Sequence, residues 1–141
     1  LRQGVAHAEE RLAGDYGRHH HLADNMRYYL EHLEDSARLD EVYPKLIATY
    51  PDTYDYYYRY GKNLAKRGLY DKALPYLEQA YAKSYGRNRL WVAQWRAQSL
   101  MQLRREDEAR ALVTATLEAN GPWFEKDMAV LRAVLDGQAP A

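Results

Sequence analysis

The chain has 141 residues, 20 basic and 20 acidic side chains, 47% hydrophobic residues and no cysteine. This length is typical of one domain that forms a core without covalent staples. The balanced charge argues against a nucleic-acid or membrane-surface partner, and the lack of thiols excludes disulfides, thiolate metal sites and cysteine nucleophiles.

Helical periodicity dominates, because Ala, Leu, Glu, Lys, Arg and Gln fill most segments and β-branched residues are few. We therefore expect an all-α fold. The predicted helices, in chain order, cover residues 5–13, 22–33, 41–50, 53–67, 72–84, 89–103, 106–120 and 124–135.

Two aspartates and two prolines set the expected starts of the third and fifth helices. Asp40 and Asp71 are predicted N-caps, since a short acidic side chain can accept hydrogen bonds from the first free N–H groups. Pro44 and Pro75 each follow such an aspartate by four residues, so we expect both in a first turn, where a missing N–H costs little. Residues 85–88 are predicted to form a turn.

The stretch 54–84 carries a repeated-helix spacing. Small residues would let two helices approach closely, a glycine would end the first helix, and large residues would fill the space between. The residues that fit are Gly61, Leu64, Gly68, Tyr70, Ala73, Leu77 and Ala80, with Tyr57 and Tyr60 at bulky positions. This stretch resembles the tetratricopeptide repeat (TPR) family. The resemblance implies a short right-handed α-solenoid of about three helix pairs with a terminal capping helix.

Neighbouring segments follow the same pattern less closely. The expected organisation is one domain, 1–141, with the best repeat at 54–87, weaker units at 20–53 and 88–121, and a capping helix at 123–136. In the third unit Arg104 replaces the turn glycine, and in the first unit registers of 34 and 31 residues both remain open. The segment 80–113 is also similar to helical C-terminal extensions of bacterial secreted thioredoxin-like proteins.

Catalytic and metal-binding patterns are not found. The consecutive residues His19, His20 and His21 cannot easily converge on one ion, because neighbouring side chains on a helix point about 100° apart. No glycine-rich phosphate loop or nucleophile elbow occurs. We expect no catalytic residue, no metal, no cofactor and no enzymatic activity.

Basic residues cluster in two windows, 56–70 and 83–105, which contain no acidic residue. The family resemblance implies that first helices, which lie in these windows, line a concave binding surface. The candidate binding residues are Tyr58, Arg59, Lys62, Lys66, Trp91, Gln94 and Gln98. Two structural interpretations stay open: basic residues near helix C-termini can simply complement the helix dipole, and Trp91 can be buried against a neighbouring helix.

The leading hypothesis is a non-enzymatic protein-interaction module with a concave, basic groove dotted with aromatic side chains, which would take a protein or peptide partner of acidic character. One alternative is a structural or dimerising C-terminal extension of a larger secreted, thioredoxin-like protein, so a homodimer remains open. Another is an RNA-binding helical repeat, which the zero net charge disfavours. The compartment is open between the cytoplasm and the periplasm.

Overall fold

The computed structural model describes all residues, Leu1–Ala141, and contains eight α-helices and no strand, which confirms the all-α prediction. A single 3₁₀ turn covers Tyr16–Arg18. The helices are α1 (Arg2–Leu12), α2 (His20–His32), α3 (Ser36–Thr49), α4 (Tyr54–Lys66), α5 (Tyr70–Lys83), α6 (Gly86–Gln102), α7 (Glu106–Asn120) and α8 (Glu125–Val134). None of them has the length and apolar character that crossing a membrane requires.

The chain forms two compact units, Leu1–Tyr56 and Tyr57–Ala141. In the first unit α2 packs against α1 and α3. In the second unit α6 packs against α5, α7 and α8, so it is the central helix. Leu90, Ala97 and Leu100 of α6 are almost fully buried, together with Leu131 of α8. Since α6 buries side chains on several faces, some of its polar atoms lie inside the protein, where a missing hydrogen-bond partner is costly.

Three helix–helix turns share one main-chain geometry, although different residues form them. Glu34, Gly68 and Arg104 all have positive φ angles, of 53°, 75° and 62°. After each of them, a backbone N–H reaches back to a leucine carbonyl at the end of the preceding helix. These bonds join Asp35 to Leu30 at 3.1 Å, Leu69 to Leu64 at 2.9 Å and Arg105 to Leu100 at 2.8 Å. This is the Schellman pattern, which satisfies carbonyls that a helix end leaves free.

Helices α4 and α5 pack closely where Gly61 faces Leu77. A Cβ atom added at Gly61 would lie 2.7 Å from the Leu77 side chain and 3.3 Å from its backbone nitrogen. The Tyr60 and Tyr76 rings meet edge to face beside this contact, with centroids 4.7 Å apart. Because glycine has no Cβ atom to occupy this space, Gly61 allows α4 and α5 to approach this closely.

The predicted N-caps of α3 and α5 are wrong. Helix α3 begins four residues before Asp40, and the Asp35 carboxylate caps it by accepting from the Arg38 N–H at 3.2 Å. Asp71 lies within the first turn of α5 rather than at its cap.

Consequently Pro44 and Pro75 lie inside their helices, beyond the first turn, so the prediction of two first-turn prolines is also wrong. Each ring removes one intrahelical hydrogen bond, and burial of neighbouring residues such as Tyr43 and Leu74 offsets that loss. The predicted turn at 85–88 is shorter than expected, since α6 already begins at Gly86.

Candidate functional site

Two lysine ammonium groups of α4 lie over one tryptophan of α6. The Nζ atoms of Lys62 and Lys66 are 5.6 Å and 5.8 Å from the centroid of the Trp95 ring, and Lys62 is also 5.8 Å from the Tyr58 ring. The Trp95 side chain is only 6% exposed. At these distances a cation is attracted to the negative face of the ring, so the ring helps to hold both charges on the surface. We call Tyr58, Lys62, Lys66 and Trp95 the lysine–tryptophan face.

Gln94 and Gln98 continue this face along α6, one helical turn apart. Gln94 is 1% exposed, and its Oε1 accepts a hydrogen bond of 3.1 Å from the backbone N–H of Ala141. Gln98 is half-buried. The chain after α8 therefore returns to α6 and covers Gln94, which does not lie on an open groove.

Trp91 lies apart from the lysines, against the start of α8. Its Nε1 donates to Asp127 at 3.2 Å, and the Arg87 guanidinium lies 5.0 Å from its ring and forms a 2.7 Å ion pair with the same carboxylate. This cluster joins α6 to α8 through one acidic residue. Trp91 therefore packs against a neighbouring helix, which is the structural alternative considered for this residue.

The arginines of the 83–105 window do not form a continuous basic surface. The guanidinium groups of Arg89 and Arg96 each lie 5.0 Å from the ring of Tyr81, and Arg105 is paired with Glu108 in the following turn. The positive charge of the candidate site therefore comes from α4, where Lys66 and Arg59 are exposed and Lys62 is half-buried.

Of the predicted site residues, the structure brings together Tyr58, Lys62 and Lys66. The candidate set missed Trp95, because an aromatic residue among Val92, Ala93 and Ala97 has the pattern of a core position. A signal for it does exist in the sequence: Trp95 stands four residues after Trp91 and three before Gln98, so it shares a helix face with two of the candidate residues.

A second polar cluster lies in the first unit, around the buried Arg27. The guanidinium forms ion pairs with Asp24 at 2.9 Å and Glu31 at 3.0 Å, and its side chain is 5% exposed. Burial alone would lower the pKa of Arg27, but the nearby Tyr43, Glu31 and Asp24 raise it above the ordinary value, so the charge is retained. Tyr43 donates its hydroxyl to Glu31.

The same cluster continues through three aromatic side chains, Tyr56, His20 and Tyr50. The Tyr56 hydroxyl donates to Asp24 at 3.1 Å and lies 2.8 Å from Nε2 of His20, whose ring stacks on Tyr50 at 3.6 Å. Burial, reinforced by the negative charge of Asp24, raises the pKa of Tyr56. An open cavity of about 450 Å³ lies beside His20, Asp24 and Tyr56.

The three consecutive histidines, His19, His20 and His21, each have different contacts. His19 caps α2, since its Nδ1 accepts from the Leu22 N–H at 3.1 Å, while His20 belongs to the cluster above and His21 is exposed. No group of three or more His, Asp or Glu side chains is arranged to hold a metal ion.

In comparisons with known proteins, no family model, no curated protein and no solved structure matches the chain.

Proposed function

We propose that the chain is a non-enzymatic interaction module whose lysine–tryptophan face binds an extended, acidic segment of a partner protein. The observation that carries this proposal is the pair of ammonium groups, Lys62 and Lys66, over the buried ring of Trp95. A rigid aromatic base with two cations above it suits a ligand that combines carboxylates with apolar groups.

We further propose that the helices form a TPR-like solenoid. The recurring turn geometry supports this, because Leu30, Leu64 and Leu100 occupy equivalent places at separations of 34 and 36 residues. The separation of 34 residues between Leu30 and Leu64 favours the 34-residue register for the repeat at 20–53. The packing of α6 on α5, α7 and α8 is also what stacked helix pairs require.

Charge distribution supports an acidic ligand. The part of α4 that carries Lys62 and Lys66 lies in a window without acidic residues, and so does the whole of α6. A carboxylate that approaches between the two lysines therefore meets no like charge from α6 or from the part of α4 that follows Asp55. Such complementarity mainly raises the association rate and selects against basic partners.

The test uses a short fluorescein-labelled peptide in which glutamate alternates with alanine and proline, and follows its anisotropy on titration with the full chain. We expect saturable binding that weakens as salt is added, because exposed charges are screened. Replacing Lys62→Glu and Lys66→Glu together should remove binding. It should also lower the melting temperature moderately, because the two cation–π contacts with the Trp95 ring are lost, so circular dichroism at the assay temperature must show that the variant is folded.

The matched control is Lys72→Glu with Lys126→Glu, which makes the same charge change at two exposed lysines of α5 and α8. This control should retain binding. If both double variants lose binding equally, the peptide responds to net charge alone, and the proposed site is wrong.

A further inference from the structure

Five buried polar side-chain atoms of α6 have no hydrogen-bond partner within the protein. Two of them, Nε of Arg89 and Nε of Arg96, belong to guanidinium groups that lie against the Tyr81 ring, and the other three share the opposite side of the helix. These three are Nε2 of Gln94, Nε1 of Trp95 and Oε1 of Gln98. Gln94 and Gln98 are separated by one turn, and Trp95 precedes Gln98 by three residues, so the three side chains share one face of the helix. Buried polar groups in folded proteins almost always have partners, so three orphans on one face need an explanation.

The structure already places a piece of main chain against this face. The backbone N–H of Ala141 donates to Oε1 of Gln94 at 3.1 Å, and residues 138–141 have no helical structure. Oε1 and Nε2 of Gln94 are bonded to the same carbon, so the orphaned Nε2 lies beside the same segment. One end of the face therefore holds an irregular main chain through the amide group of a buried glutamine.

We infer that this face is a site for the extended main chain of a partner, and that the segment Gln138–Ala141 occupies one end of it until the partner displaces it. Gln94 Nε2 and Trp95 Nε1 donate to carbonyl oxygens of the ligand, and Gln98 Oε1 accepts from one of its N–H groups. This inference rests on the proposed function and adds the mode of recognition.

The orphans favour a peptide over other anionic ligands because both hydrogen-bonding roles are needed. A main chain supplies acceptors and donors alternately along its length, and it can satisfy two donors and one acceptor on a single helix face. A phosphate group supplies acceptors only and would leave Gln98 Oε1 unpaired. Lys62 and Lys66, which lie over the Trp95 ring, then meet the acidic side chains of the same peptide.

The probe is a fluorescein-labelled peptide of sequence Gly-Gln-Ala-Pro-Ala followed by three glutamates, which extends residues 137–141 with acidic groups. A second probe carries an N-methyl group on the last alanine and so lacks that N–H donor. We expect the N-methylated probe to bind several-fold more weakly to the full chain.

Two variants of the chain separate main-chain recognition from general packing. Gln98→Met removes the orphaned acceptor and keeps the side-chain length; affinity for the first probe should fall about fivefold to tenfold, while the melting temperature stays equal or rises because an unsatisfied group is gone. Gln79→Met, at an exposed position of α5, is the control and should change neither quantity.

Ala141→Pro removes the N–H that donates to Gln94, so the intramolecular segment is held less tightly and the affinity for the first probe should rise several-fold. Ala141→Ser keeps the N–H and should behave as the unchanged chain. In the free protein the amide proton of Ala141 should exchange with solvent more slowly than that of an unstructured residue.

The inference is overturned if the probe binds and the Lys62/Lys66 reversal abolishes binding, but Gln98→Met, Ala141→Pro and N-methylation have no effect; the proposed function then stands without it. Unprotected exchange at Ala141 also overturns it. If no acidic probe binds to the chain or to Ala141→Pro, both the inference and the proposed function fail.

Discussion

Gly61 of α4 lies so close to Leu77 of α5 that a methyl group on its Cα would come within 2.7 Å of the leucine side chain. Gly61→Ala should therefore destabilise the chain by about 1–3 kcal/mol through overpacking. Urea unfolding followed by circular dichroism measures this change. In a Leu77→Ala background the same substitution should cost clearly less, because the opposing side chain is gone; equal costs in both backgrounds would contradict the contact.

The buried guanidinium of Arg27 is expected to be essential for the stability of the first unit. Arg27→Met removes the cation that Asp24 and Glu31 share, but these two side chains are 38% and 24% exposed and can be solvated, so we expect a loss of about 2–3 kcal/mol in the free energy of unfolding. Chemical denaturation measures it. Arg38→Met, which removes an exposed ion pair with Glu9, is the control and should cost no more than about 1 kcal/mol.

We expect the stability of the fold to decrease at alkaline pH because of the buried hydroxyl of Tyr43. Burial, together with the neighbouring Glu31, raises its pKa well above the ordinary value of 10.0. A raised pKa in the folded state means that the neutral hydroxyl stabilises the fold fully below about pH 10, and that this contribution is lost as the pH rises further. Melting temperatures measured from pH 8 to 12 should fall above pH 10. Tyr43→Phe should start lower and fall less steeply, and a parallel decline would assign the sensitivity to other groups.

Substitutions at Arg104 and Gly68, which both have a left-handed backbone conformation, are expected to change the free energy of unfolding in opposite directions. Arg104 has a φ angle of 62° and Gly68 one of 75°, and a side chain in this conformation costs about 1–2 kcal/mol relative to glycine. Arg104→Gly should thus raise the free energy of unfolding by about 1 kcal/mol, and Gly68→Ala should lower it by a similar amount. The greater freedom of glycine in the unfolded chain offsets part of the strain term in both substitutions, so each effect should be no larger than about 1 kcal/mol.

Much of the fold could be predicted from the sequence, because helical periodicity repeats over nearly the whole chain and Gly68 and Gly121 end helices visibly. The starts of α3 and α5 could not. Asp35 and Asp40 are equally good caps locally, and the choice depends on where α3 packs against α2. Pro44 misled the prediction because tertiary packing tolerates a ring that an isolated helix would exclude.

The candidate site was predictable only in part. The four-residue spacing of Tyr58, Lys62 and Lys66 places them on one face of any helix, and the structure agrees. The environment of α6 depends instead on contacts distant in sequence: Asp127 captures Trp91 and Arg87, and Ala141 reaches Gln94. No local pattern encodes partners that lie 36 to 47 residues away.

The turns after α2, α4 and α6 are closed by main-chain hydrogen bonds, and Glu34, Gly68 and Arg104 all adopt the same conformation there. Every residue except proline has the N–H and C=O groups that such a turn uses. Most residues at the left-handed position therefore keep the hydrogen bonds of the turn, at a cost of about 1–2 kcal/mol relative to glycine. The backbone geometry of such a turn can thus remain the same after the glycine that marks it in the sequence has been replaced.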